Sequence, residues 1–352
     1  MSTPAATRLA DARALFPAAR GYLDSATIGL PPATAVAELE AALEEWRTGR
    51  ADAPGYDAWV ERGRAAFARL VDVHPKLVAI GGQVSAFSGV VAASLPAGAE
   101  VLCAERDFAS VLFPFLVQRE RGLRVRTVPL ERLADELAPD TTLVAFSAVQ
   151  SSDGRVADLD AIVSAAARHG AATLLDATQA VGWLPIDASR FDYVACSAYK
   201  WLLSPRGTAF LTVREERLGE VTPQLAGWYA GEEPWASLYG EPLRLASDAR
   251  RLDLSPAWLS WVGAAPALEL LADIGAGAIH AHATGLADRF RSALRMEPAG
   301  SAIVALSAPG AGERLAQADI RASRREDAAR LSFHVYNDEE DVEAALAALT
   351  GV

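Results

Sequence analysis

Apolar and polar positions along the chain follow two rhythms. The first is helical. Residues 1–20 read as a short helix, and Val36, Leu39, Leu43 and Trp46 recur at helical spacing between Ala33 and Arg47. The same spacing returns from about Tyr56 to Val71. Between these helices the stretch from Gly21 to Pro32 is turn-rich and ends in paired prolines, which block helix continuation. From residue 78 onward short apolar or β-branched runs take over, at 78–82, 101–105, 124–130, 142–149, 173–179, 193–199 and 208–213. Most are separated by helix-length segments such as Leu159 to His169, and that alternation predicts an α/β fold around a seven-stranded, mostly parallel sheet flanked by helices. The link into the last run is too short for a helical crossover. Residues 208–213 are therefore expected to lie antiparallel to 193–199.

After Val213 the chain turns rich in Gly, Pro and Trp, a composition suited to an ordered loop or a partner contact in which Trp228, Tyr229 and Trp235 either line the site across a dimer interface or are packing anchors. One long helical segment is expected from Trp258 into the 290s. Two further strands, AIVAL and ARLSFHV, and a last helix from Asp338 follow. This divides the chain into a large domain over 18–257 and a smaller α+β domain made of 1–17 and 258–352.

At 352 residues, the usual length of about 150 residues per domain allows two or three, of which the element pattern favours two. With 51% hydrophobic and 22% charged residues the chain can build a large core and is not of disordered composition. Its net charge of -12 and the lack of a basic stripe argue against nucleic-acid binding. No apolar run reaches the roughly 18 residues of a membrane span. The mixed charges of the first twenty residues do not read as a secretory signal, so a cytoplasmic location is expected. The two cysteines, Cys103 and Cys196, sit in apolar strand-like runs and are expected to be buried thiols.

Three places could carry chemistry. Gly81-Gly82-Gln83-Val84-Ser85 follows a strand and opens a helix, where free backbone N–H groups could cradle a phosphate; an ordinary strand-to-helix turn would look the same. Asp176 ends an apolar strand, and a buried carboxylate needs a cation or hydrogen-bond donors, although helix capping would also account for it. Lys200 lies among Ala198, Tyr199, Trp201, Leu202 and Leu203, which would desolvate its amine and lower its pKa; a surface lysine at a strand end is the plain alternative. His280 and His282 are two apart on a helix and face different ways, so no metal site is expected there, and His334 reads as a structural strand residue.

The stretch from Asp176 through Gly207 resembles the cofactor-lysine region of class V aminotransferase-like, fold type I pyridoxal-phosphate enzymes, a group that includes cysteine desulfurases, kynureninases, isopenicillin N epimerase-like enzymes and cysteine C–S lyases. The likeness extends to Tyr22-Leu23-Asp24-Ser25-Ala26, to Glu105 through Phe115, and to Arg330 through Asn337. It implies that Lys200 binds the cofactor aldehyde covalently and that Asp176 keeps its ring nitrogen protonated. It further implies that Gln179 meets the phenolic oxygen, that Ser197 and Tyr199 with Val84 and Ser85 hold the phosphate, and that Phe108 stacks on the ring. For the carboxylate of a small amino-acid substrate it points first to Arg324 and second to Arg330. A homodimer is also implied, with Ser255 or its neighbours reaching the other subunit's phosphate.

Departures narrow the reading. Tyr199 stands where desulfurases commonly carry histidine, no cysteine follows Cys196, and the family's asparagine is replaced within Gln150-Ser151-Ser152. A persulfide-forming desulfurase is therefore not expected. The leading expectation is β-elimination, a carbon–sulfur lyase acting on a cysteine-derived substrate. The alternatives are an aminotransferase or epimerase of the same family and, less so, a non-catalytic pyridoxal-phosphate-binding relative. A nucleotide-binding oxidoreductase fits worse, because the glycines after residue 80 lack the G-x-G-x-x-G spacing.

Overall fold

A computed structural model describes residues 4–325 and 327–350. Seven strands form the main sheet: β1 (Val78–Gly81), β2 (Glu100–Ala104), β3 (Arg124–Val128), β4 (Thr141–Ser147), β5 (Ala172–Asp176), β6 (Tyr193–Ser197) and β7 (Ala209–Val213). Their order is β1-β7-β6-β5-β4-β2-β3. All run parallel except β7, which lies antiparallel to both β1 and β6, as its short link to β6 requires. Every residue of β1, β2, β5, β6 and β7 is buried, because helices cover both faces. Alternate side chains feed two cores. Ile80, Phe146, Val194 and Phe210 meet the layer of helices Asp57–Leu70 and Trp258–Ile274, while Ala79, Ala145, Ala195 and Leu211 meet Val84–Ser94 and Ala109–Leu116.

The parallel arrangement brings the C-terminal ends of β1, β4, β5 and β6 to one edge, so Gly82, Ser147, Asp176 and Ser197 emerge side by side. Strand β1 sits at the sheet border, and residues 253–254 close its outer side. Asp253 Oδ1 accepts from Ile80 N at 2.8 Å, Leu254 N donates to Ile80 O at 3.0 Å, and Arg64 Nη2 lies 2.7 Å from Asp253 Oδ2. Both members of this ion pair are buried. Asp253→Ala would strand the Arg64 charge in the core, and a loss of about 3–5 kcal/mol in urea-unfolding stability is expected.

The smaller sheet holds β8 (Ile303–Leu306), β9 (Ser323–Arg325) and β10 (Ala328–Ser332), all antiparallel in the order β8-β10-β9. Strand β9 is a short polar Ser-Arg-Arg piece with no apolar alternation, and sequence periodicity did not mark it. The N-terminal stretch runs beside this sheet, with Leu23 N donating to Arg321 O and Ser332 N to Leu23 O, both at 2.8 Å. The single long helix expected after Trp258 is instead two, Trp258–Ile274 and Ala276–Ala293, bent by 85°. Gly275, at φ +92°, makes the break and donates its N–H to Leu271 O. Among the described residues no single helix is long and apolar enough to cross a membrane.

Candidate active site

Asp176 is the last residue of β5. Its Oδ1 accepts from Thr178 N at 2.8 Å, and burial raises its pKa to about 6, against the pull of that hydrogen bond and of Lys200; the neighbouring carboxylate of Asp107 adds to the rise. Asp107 is itself buried and takes hydrogen bonds from Ser147 N (2.8 Å), Ser147 Oγ (2.5 Å) and Phe108 N (2.7 Å). These bonds tie the residues before helix Ala109–Leu116 to the end of β4 and set Phe108 at the site.

Lys200 lies in the turn after β6. Burial lowers its pKa to about 8, Asp176 opposes that shift, and the charges of Arg330 and Arg325 add to it. Its Nζ is 5.0 Å from the Phe108 ring centre and 5.6 Å from that of Tyr199. Two glycines allow the turn to pack so closely. A Cβ on Gly29 would fall 2.1 Å from Lys200 O, and one on Gly182, at φ +113°, would fall 2.3 Å from Trp201 O. The buried His334 ring holds Trp201 O from Nε2 at 2.8 Å while its Nδ1 accepts from Val335 N; burial lowers its pKa to about 4, so it stays neutral and structural.

Asp176, Lys200, Gln179, Ser197, Tyr199, Phe108 and Val84 all line one cavity of about 220 Å³. At one end Gly82 and Gln83 lead into helix Val84–Ser94, which has no side-chain N-cap, and Val84 N lies 3.4 Å from Ser197 Oγ. A helix start whose one side-chain hydrogen bond among the described residues is the long one from Val84 N–H to Ser197 Oγ suits an anion. Ser85 does not line the cavity, whereas Gly82 and Gln83 do. Gln179 Oε1 accepts from Trp201 Nε1 at 2.7 Å, which turns its Nε2 to donate to Ala26 O (3.0 Å) and Ser151 Oγ (2.9 Å). Ser151 Oγ also receives Arg330 Nη1 at 3.2 Å, so its own proton remains to be donated.

The two candidate arginines separate clearly. Arg324 has 69% of its side chain exposed, pairs with Asp327, and lines a different surface depression beside Ala308 and Glu313. Arg330 is fully buried, with Nε on Ser323 Oγ, Nη1 on Ser151 O and Oγ, and Nη2 on Thr27 Oγ1 at 2.7 Å. Burial, reinforced by Arg325 and opposed by Asp24, lowers its pKa to about 10. The aromatic loop packs within the chain. Tyr229 Oη and Trp235 Nε1 both donate to the Asp57 carboxylate, at 2.9 and 2.6 Å, and neither these residues nor Trp228 nor Ser255 lines the cavity. Both cysteines are buried, and neither lines it. Among the described residues no group of three or more His, Cys, Asp or Glu is placed to hold a metal.

Sequence reading passed over several lining residues: Ser110, Ser147, Ser151, Thr178 and Arg206. Only Ser151 had left a trace, as part of the Gln-Ser-Ser replacement.

The class-V aminotransferase family model matches residues 22–310, which include the whole lysine–aspartate site. The chain belongs to that family. It is accordingly a pyridoxal-phosphate-dependent enzyme. An uncharacterized aminotransferase of Bacillus subtilis, YcbU, is 32% identical over 310 residues, covering 81% of this chain and 82% of that one. An isopenicillin N epimerase of Amycolatopsis lactamdurans is 30% identical over 340 residues, covering 83% and 84%. In fold, the chain is similar to the cystine C–S lyase C-DES solved with cysteine persulfide, at TM-score 0.83 and 23% identity over 94% of this chain and 97% of that one. The residues present fit the cofactor: a desolvated amine, a buried carboxylate held close to neutral pH, and an uncapped helix start share one cavity.

Proposed function

We propose that this class-V enzyme is a β-eliminating lyase that breaks the carbon–sulfur bond of a small, cysteine-derived amino acid. The cofactor, when bound, supplies an electron sink that weakens bonds at the substrate α-carbon. Lys200 would hold the cofactor covalently and, once released by the incoming amine, take the α-proton at Nζ. Asp176 would keep a proton on the ring nitrogen. Phe108 would cover the ring, Gln179 through Ser151 would meet the phenolic oxygen, and Gly82 to Val84 with Ser197 and Tyr199 would hold the phosphate.

The observation that carries the reading is the makeup of the cavity wall. Lys200 is the one lysine in it, and histidine, cysteine and glutamate are absent from the described lining residues. A base on a single side suits proton removal followed by departure of a β-substituent. With both cysteines buried, sulfur transfer to a protein thiol has no acceptor in the cavity. The decisive assay is release of pyruvate and ammonia from a cysteine S-conjugate with no keto acid present. A strict need for a keto-acid acceptor would instead support transamination, the second reading, which the long match to the Bacillus relative favours.

Arg330 would bind the substrate carboxylate, because it sits directly behind the lining residue Ser151 and hydrogen-bonds it, whereas Arg324 faces solvent. Arg330→Met is expected to lower kcat/KM by about 10–100-fold, mostly through KM, with the cofactor still bound. Arg324→Ala should leave steady-state kinetics unchanged. A homodimer is proposed as well, to be checked by light scattering of the purified protein.

A further inference from the structure

We propose that Arg206 supplies the positive charge that holds the cofactor phosphate, an inference that rests on the pyridoxal-phosphate reading of this cavity. A phosphate monoester carries close to two negative charges near pH 7. The groups gathered at the uncapped helix start are neutral: the N–H groups of Gly82 to Val84 and the hydroxyls of Ser197 and Tyr199. Lys200 and Arg206 are the two cations among the lining residues, and Lys200 is committed to the covalent link.

Arg206 sits at the right end of the cavity. A Cβ on Gly82 would come within 3.9 Å of Gly207 O, so the Arg206–Gly207 turn lies directly beside the phosphate cradle. The turn is held in place, since Ser260 Oγ donates to Arg206 O at 3.1 Å and Gly207 adopts φ +104°. The guanidinium carbon lies 5.0 Å from the centre of the Tyr199 ring, and no carboxylate among the described residues forms an ion pair with it. An arginine resting on an aromatic face keeps its edge N–H groups available, and their planar fork matches two phosphate oxygens. The same ring that orients Arg206 carries the Tyr199 hydroxyl, so the two act as one unit at the phosphate.

The test compares two aldehydes that differ only in the phosphate. Apo protein, wild type and Arg206→Gln, is titrated with pyridoxal 5'-phosphate and with pyridoxal, and binding is followed by visible absorbance. The expected result is an affinity for pyridoxal phosphate about 10–100-fold weaker in the variant, with pyridoxal affinity unchanged. Inorganic phosphate should slow uptake of pyridoxal phosphate in the wild type and do so less in the variant. Unchanged binding of both aldehydes, or an equal loss for both, would overturn the inference, and retained pyridoxal binding shows that the variant is folded. If the wild type binds neither aldehyde, the cofactor reading of the cavity fails first and Arg206 with it.

Discussion

Lys200→Ala protein is expected to lose its borohydride-fixable cofactor and at least about 10²–10⁴-fold in turnover, the range typical for loss of a proton-transfer group. After borohydride reduction, peptide mass spectrometry of the wild type should place a pyridoxyl adduct on Lys200, and the variant should carry none there. The wild-type rate of capturing free cofactor should rise with pH through about 8, as the buried amine loses its proton. An adduct on another lysine, or capture that does not respond to pH between 7 and 9, would contradict the role given to Lys200.

The second large effect concerns Asp176, and its two parts have opposite signs. Activity should fall by orders of magnitude in Asp176→Asn, because the amide cannot keep a proton on the ring nitrogen. Apo-protein stability should increase. The folded-state pKa of Asp176 is raised from 3.8 to about 6, so its neutral form stabilises the apo fold below pH 3.8 and that contribution is lost as pH rises through 6. At pH 8 the buried carboxylate therefore costs about 2–3 kcal/mol, which the asparagine avoids while still accepting from Thr178 N. Urea unfolding of the two apo proteins should show that gain at pH 8 and little of it at pH 4. The substitution also removes the charge that supports the ammonium form of Lys200, so the capture midpoint should move to lower pH. Equal stability at pH 8, or a midpoint shifted upward, would count against the buried-acid account.

Most strands of the main sheet could be read in advance because a strand buried on both faces must be apolar along its length; the edge strand β3 showed instead through its β-branched Val125, Thr127 and Val128, and a short link leaves β7 no parallel option. Gly275 hid a sharp bend because apolar spacing continues on both sides of it, and only a positive φ separates the two helices. Asp176 and Lys200 were visible for a local reason: each stands where an apolar strand ends, and the neighbours in the chain are the groups that desolvate it. Their convergence on one cavity follows from β5 and β6 being adjacent and parallel.

The remaining parts of the site are made by contacts between distant segments. Arg330 meets Ser151 across 179 residues, and its depth compared with Arg324 is set by the register of β9 against β10, which no local spacing encodes. Gln179 is expected from the sequence to meet the cofactor's phenolic oxygen, and its Nε2 donates to Ala26 O and Ser151 Oγ, contacts across 153 and 28 residues that no local spacing encodes. Arg206 stood in the turn after the lysine without any mark of chemistry until Gly207 was seen to pack beside Gly82. By itself the sequence determined the strands of the main sheet and singled out Lys200 and Asp176 as a buried amine and a buried acid, because burial and strand ends are local properties. Tertiary structure alone decided which arginines, hydroxyls and amides surround them, since those distances depend on how separate elements pack.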